Sequence, residues 1–131
     1  MQAVGYGAYR RVQAETSSPG ELIVLLYDAL LKNLGRGIDG IERGDSETVN
    51  LALTRAQDIT LELRTSLDPN TGDLATLLTP LYDYIFRNLV DANVRKDASV
   101  VRHVLDVVTP LRDAWDHAVR HAIGTKGAAR V

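Results

Sequence analysis

No cysteine occurs among the 131 residues, which removes a disulfide framework, a thiol nucleophile and a thiolate metal site at once. No apolar run approaches the roughly 20 residues that a membrane-spanning helix needs. The opening MQAVGYGAYRR lacks the basic-then-apolar order of a secretory signal, so a cytoplasmic protein without membrane insertion is expected. A strong excess of one charge sign is missing too. The formal net charge is −2, and the basic residues are scattered, with no stripe and no interleaved aromatic platform, which argues against nucleic acid as a partner. There is no G-x-S-x-G, no glycine-rich phosphate loop and no Glu-x-x-His pair of the kind that holds two irons in a bundle. Serines and threonines sit at caps and turns, where backbone hydrogen bonding accounts for them. Nothing assembles a nucleophile, a base and an oxyanion donor. The expectation is no enzyme, no cofactor and no small-molecule substrate.

What is present fits one soluble helical domain. Apolar residues make up 45% and charged residues 24%, enough to bury a core at this length. Residues 1–17 form a loose leader, too short in its amphipathic part to be stable alone. Ser18 then opens a helix as N-cap, with Pro19 at the first position and Glu21 completing a capping box. That helix is expected to reach Arg43 and stop at Gly44. Asp45 caps a second helix carrying Val49, Leu53, Ala56, Leu63 and Leu67 at helical spacing. The stretch DPNTGD, residues 68–73, is a turn. A third helix covers about Leu74 to Arg95, with a kink or a fresh start capped by Thr79 expected at Pro80. The fourth begins after Asp97 on a seam of Val101, Val104, Val108, Leu111, Trp115, Ala118 and Ala122, bent by Pro110. The architecture expected is all-α, an antiparallel up-down four-helix bundle over 18–123, with a mobile segment at 1–17 and a flexible tail at 124–131.

One phrase is written twice. LYDALLKNL at 26–34 returns as LYDYIFRNL at 81–89. On a helical wheel Asp28 and Asp83 fall opposite the leucines that precede them, on the solvent side, where a raised pKa and general acid work are not expected. His103, His117 and His121 lie opposite the core seam. His117 and His121, four apart with Asp113 a turn earlier, have the spacing of a weak divalent-metal stripe. Without a supporting shell they read as surface, and no metal is assigned.

The wheel also shows an excess. On the first and third helices the apolar residues span about 180°, more than the stripe a little over 100° wide that one seam buries. Either each helix serves two seams, or part of this surface forms a groove for another chain. Tyr27, Tyr82, Asn33 and Asn88 place polar tips at the border of an apolar face, as suits a groove that holds both side chains and backbone; a buried polar residue also fixes register. The candidate groove residues are Leu22, Ile23, Leu26, Tyr27 and Leu30, with Tyr82, Ile85, Phe86, Asn88 and Leu89. Some of these belong to the core. The leader, through Tyr6, Tyr9 and Val12, is suited to cover such a groove, and its ligand would be helical or become so on binding. A self-associating structural bundle and a metal-binding bundle are the competing readings.

AYRRV, SSPGELIVLLYDALL, RAQDITLELRTSLD, LYDYIFRNLVDANVRKD and LRDAW, in this order, resemble the flagellar secretion chaperones of the FliS family from about Gly5 to Trp115. The resemblance implies a cytoplasmic antiparallel helical bundle without catalytic activity. Its partner would be the C-terminal segment of newly made flagellin, disordered when free and partly helical when wrapped on the bundle. Binding would suppress premature polymerisation and deliver flagellin to the export gate. Ordering a disordered segment demands a large apolar contact, in keeping with the wide arcs. GYGAY matches the family's N-terminal segment, which implies that Tyr6 and Tyr9 cover the groove in the free protein and contact the gate's cytoplasmic domain when loaded. Pro80 and Pro110 depart from the family pattern, and the histidine-rich end has no family counterpart.

Overall fold

The computed structural model describes residues 18–67 and 72–124, with the backbone alone at 122–124. Tyr6, Tyr9, Val12, most of the turn at 68–73 and the tail lie outside the described residues. Four helices follow one another: α1 Pro19–Arg43, α2 Ser46–Thr65, α3 Asp73–Arg95 and α4 Ala98–Gly124. Their ends have local causes. The Ser18 N–H donates to Glu21 Oε1 at 2.8 Å while the Glu21 N–H donates to Ser18 Oγ at 3.2 Å, so the capping box satisfies two otherwise orphaned donors. Gly44 stops α1 in the left-handed region, φ 70°, which costs a glycine little. Asp45 accepts from the Thr48 N–H at 3.1 Å, and Asp97 from the Ser99 N–H at 3.0 Å.

α1 packs on α2, α2 on α3, α3 on α4 and α4 back on α1, so α1 and α3 are diagonal across the ring. With two-residue turns at 44–45 and 96–97, each hairpin is antiparallel, and α1 and α3 run the same way. The interior is aliphatic. Leu30, Leu34, Leu53, Ile85 and Leu89 are fully buried, each worth about 1.5–3 kcal/mol relative to exposure. α1 and α2 approach closely where α1 has no side chain. A Cβ built on Gly37 would lie 2.6 Å from Leu53 Cδ2, and one on Gly40 2.9 Å from Val49 Cγ2. The small residues set that helix spacing.

Two expectations change. α3 makes no fresh start at Thr79 but continues through Pro80, as α4 does through Pro110; a kink or bend at either proline is compatible with that continuity. Both prolines are exposed, where solvent can satisfy the carbonyl one turn back that each leaves without its donor. The α4 seam holds at Val101, Val104 and Val108, which are buried, but beyond half-buried Trp115 it turns to Val119 while Ala118 is exposed. A straight helix drifts about 20° per heptad relative to a strict seven-residue repeat, so the stripe moves to the neighbouring row.

Candidate functional site

The repeated phrase converges inside the bundle. Tyr27 and Tyr82 are 0% and 1% exposed, and their hydroxyls lie 2.5 Å apart, from diagonal helices. The Trp115 indole on α4 lies near the Tyr27 hydroxyl and favours its ionised form. Either hydroxyl of the pair can donate to the other. Burial pushes the Tyr27 phenol far above the usual tyrosine value, and Tyr82 reinforces the shift; the nearby Trp115 indole opposes it without prevailing. Burial also raises Tyr82, against the opposing bond from Tyr27. A phenol held neutral in this way supplies register, not proton transfer.

The other shared letters repeat their roles as well. Asp28 receives Arg112 Nε of α4 at 2.7 Å, and Asp83 receives Arg64 Nε of α2 at 2.7 Å. Asn33 Nδ2 donates to the Ala29 carbonyl at 2.9 Å, and Asn88 Nδ2 to the Tyr84 carbonyl at 2.8 Å. Asn33 is buried with its Oδ1 unpartnered in the protein, whereas Asn88 is half-buried. The two aspartates do face outward, yet each closes a seam with the neighbouring helix.

These positions sort the candidate groove residues. Leu26, Tyr27, Leu30, Tyr82, Ile85 and Leu89 are interior. The expected border position of the tyrosine tips is corrected: the hydroxyls bond each other across the core, which the wheel of a single helix cannot reveal. Leu22, Ile23, Phe86 and Asn88 are half-buried and remain open to contact. Outside the expected set, Leu77 is 71%, Val94 77% and Tyr84 39% exposed, all on α3. The Tyr84 hydroxyl bonds His103 Nε2 at 2.7 Å, bridging α3 and α4. The His117 and His121 rings lie with centroids 4.4 Å apart, tilted by 42°. Among the described residues, no three histidine, aspartate or glutamate side chains gather as a metal-binding group, and no helix is long and apolar enough to cross a membrane.

A helical bundle whose described carboxylates, lysines and arginines all lie outside the core, whose buried tyrosine hydroxyls bond each other and whose third helix displays leucine, valine and tyrosine has the anatomy of a protein-binding module. The family model described as Flagellar protein FliS matches residues 1–122, and the chain belongs to that family. It is 37% identical over 115 residues to a protein named Flagellar secretion chaperone FliS from Bacillus subtilis, covering 88% of this chain and 86% of that one. A protein of the same name from Salmonella typhimurium is 35% identical over 119 residues, with 86% and 88% covered. Another from Escherichia coli is 31% identical over 123 residues, with 89% and 90% covered. This is a family of flagellar secretion chaperones, not of enzymes.

Proposed function

We propose that this protein is a cytoplasmic, non-catalytic export chaperone that captures the C-terminal segment of flagellin, keeps it from polymerising early and hands it to the flagellar export gate. The family match over residues 1–122 carries this reading. Exposed leucine, valine and tyrosine side chains on α2 and α3 support it, because a disordered client gains its binding energy by burying apolar surface as it orders. Leu22, Ile23, Phe86 and Asn88 contact the client, the first three by apolar burial and Asn88 through its half-open amide. Leu26, Tyr27, Leu30, Tyr82, Ile85 and Leu89 serve from within, by holding the helices that carry those contacts. Tyr6, Tyr9 and Val12 cover the client surface in the free protein, and the two tyrosines meet the gate once it is loaded.

The test is calorimetric titration with the C-terminal segment of the same organism's flagellin, beside an N-terminal flagellin peptide. One-to-one binding of the C-terminal segment alone, micromolar or tighter and with a negative heat-capacity change, is the expected result. Absence of binding to both peptides would remove the function and leave the fold.

A further inference from the structure

The histidine-rich end of α4 takes no part in the core or in the client contacts assigned above, yet two of its rings are brought together. His117 and His121 are both exposed, and as residues i and i+4 they stand one above the other on the same helix face. Their ring centroids are 4.4 Å apart, with the planes tilted by 42°. Spacing alone permits such a pair. The structure shows the rings already adjacent, so holding one ion between them requires little further ordering of side chains.

The separation also carries a preference of geometry. A metal–imidazole bond is about 2.0 Å long, and the ring centre lies about 1.2 Å beyond the nitrogen. Two imidazoles on one ion therefore have centroids about 4.5 Å apart when they meet at a right angle, and about 5.2 Å apart at the tetrahedral angle. The observed 4.4 Å matches the right angle. That is the angle of tetragonal Cu2+ and Ni2+ sites, whereas Zn2+ favours the tetrahedron.

The charges around the pair favour a cation. His121 stands in the last turn of α4, where the helix dipole presents its negative end. The neighbouring Arg120 is held by Asp116, Nε to Oδ2 at 2.9 Å, which offsets its charge. Asp113, one turn before His117, has a side chain 65% exposed and meets Arg112 Nη1 only at 3.4 Å, while Arg112 is held by Asp28 at 2.7 Å. The Asp113 carboxylate is thus left to attract an ion or to bond its water. Among the described residues no third side chain completes a ligand set, so water fills the remaining positions, as in an open site.

We infer that His117 and His121 form a two-histidine chelate for a divalent transition-metal ion, Cu2+ most tightly and Ni2+ next, at the C-terminal end of α4. The pair lies outside the residues assigned to client contact, and its chemistry is independent of the client. Helical spacing is what keeps the two rings adjacent, so the bound ion staples the last turns of α4 and stabilises the folded state over the unfolded one.

The test is calorimetric titration of the untagged full chain with the chlorides of copper, nickel and zinc. It is repeated on His117→Ala, His121→Ala, the two combined, and His103→Ala as the control. The three positions are exposed, and circular dichroism verifies that each variant remains helical. The parent is expected to take one Cu2+ per chain. Each single pair variant should bind at least about tenfold more weakly, near 1.4 kcal/mol, with His103→Ala within about twofold of the parent. Electron paramagnetic resonance of bound Cu2+ should show two equatorial imidazole nitrogens in the parent and one in either single variant. Two ions per chain, with each single variant keeping one at unchanged affinity, would mean that the histidines bind independently and would overturn the chelate. Undiminished binding by the combined variant would place the ion elsewhere and overturn the site. Zn2+ binding tighter than Ni2+ would overturn the right-angle geometry.

Discussion

The Tyr27 hydroxyl lies 2.5 Å from the Tyr82 hydroxyl, although α1 and α3 are not neighbours around the bundle. One bond therefore spans the diagonal and fixes the level of one hairpin against the other. Replacing one tyrosine with phenylalanine strands a buried hydroxyl, at a cost of about 1–3 kcal/mol. Replacing both leaves no orphan in that pair, so the double variant is expected to lose less than the sum of the singles. Urea unfolding of the four proteins checks this; strict additivity would show that the pair is uncoupled.

The same pair gives a signature at high pH. Both phenols are raised by burial, so the folded protein retains protons that the unfolded chain releases above about pH 10. The unfolded state then binds fewer protons, and stability falls as pH rises past that point while remaining unaffected by these groups below it. The melting temperature of the parent should drop more between about pH 9 and 11 than that of the double phenylalanine variant. Equal drops would mean that the two phenols titrate alike in both states.

Glycine substitutions on α1 should change sign with position. Gly35 has open space where its Cβ would be, so Gly35→Ala gains about 0.5–1 kcal/mol from helix propensity. Gly40→Ala meets Val49 Cγ2 at 2.9 Å and the Val49 backbone N at 3.3 Å, neither of which swings aside. It should cost about 1–3 kcal/mol through overpacking. Gly37→Ala meets only the flexible end of Leu53 and should fall between them. Denaturation midpoints rank the three.

The two aspartate clamps should be modest and unequal. Arg112 is the less exposed arginine, at 27% of its side chain against 46% for Arg64, and is less screened by solvent. Asp28→Asn is expected to cost more than Asp83→Asn, both under about 1 kcal/mol. Both losses should shrink as salt rises from about 0.05 to 0.5 M, where the screening length falls to a few ångström. A loss independent of salt would show that the carboxylates act by packing.

Much of the fold is legible without coordinates because it is written locally. Ser18 with Glu21, Gly44 and Asp45 announce helix ends through backbone groups a few residues away, and each signal stands in the structure. The candidate site is less legible because burial is a relation between helices. Tyr27 and Tyr82 look amphipathic on their own wheels, and only the diagonal placement of α1 and α3 closes them against each other. Trp115 joins that pair from a third helix, with no trace in spacing. Tyr84 and Val94 are readable in a different way: aligning 26–34 with 81–89 and extending the comparison toward the C-terminus exposes them as positions where matching helices disagree.

The corner after α3 has a mechanical meaning. Lys96 takes the left-handed conformation at φ 54°, unusual for a residue with a side chain. Its Nζ donates to Asn50 Oδ1 on α2 and to the Asn93 carbonyl, each at 2.7 Å. The opposite end of α3 begins at Gly72, which offers no capping side chain. The helix is thus a beam clamped at its Lys96 end and uncapped at its Gly72 end. A load laid along it bends the Gly72 end first, while the Lys96 end keeps its place against α2.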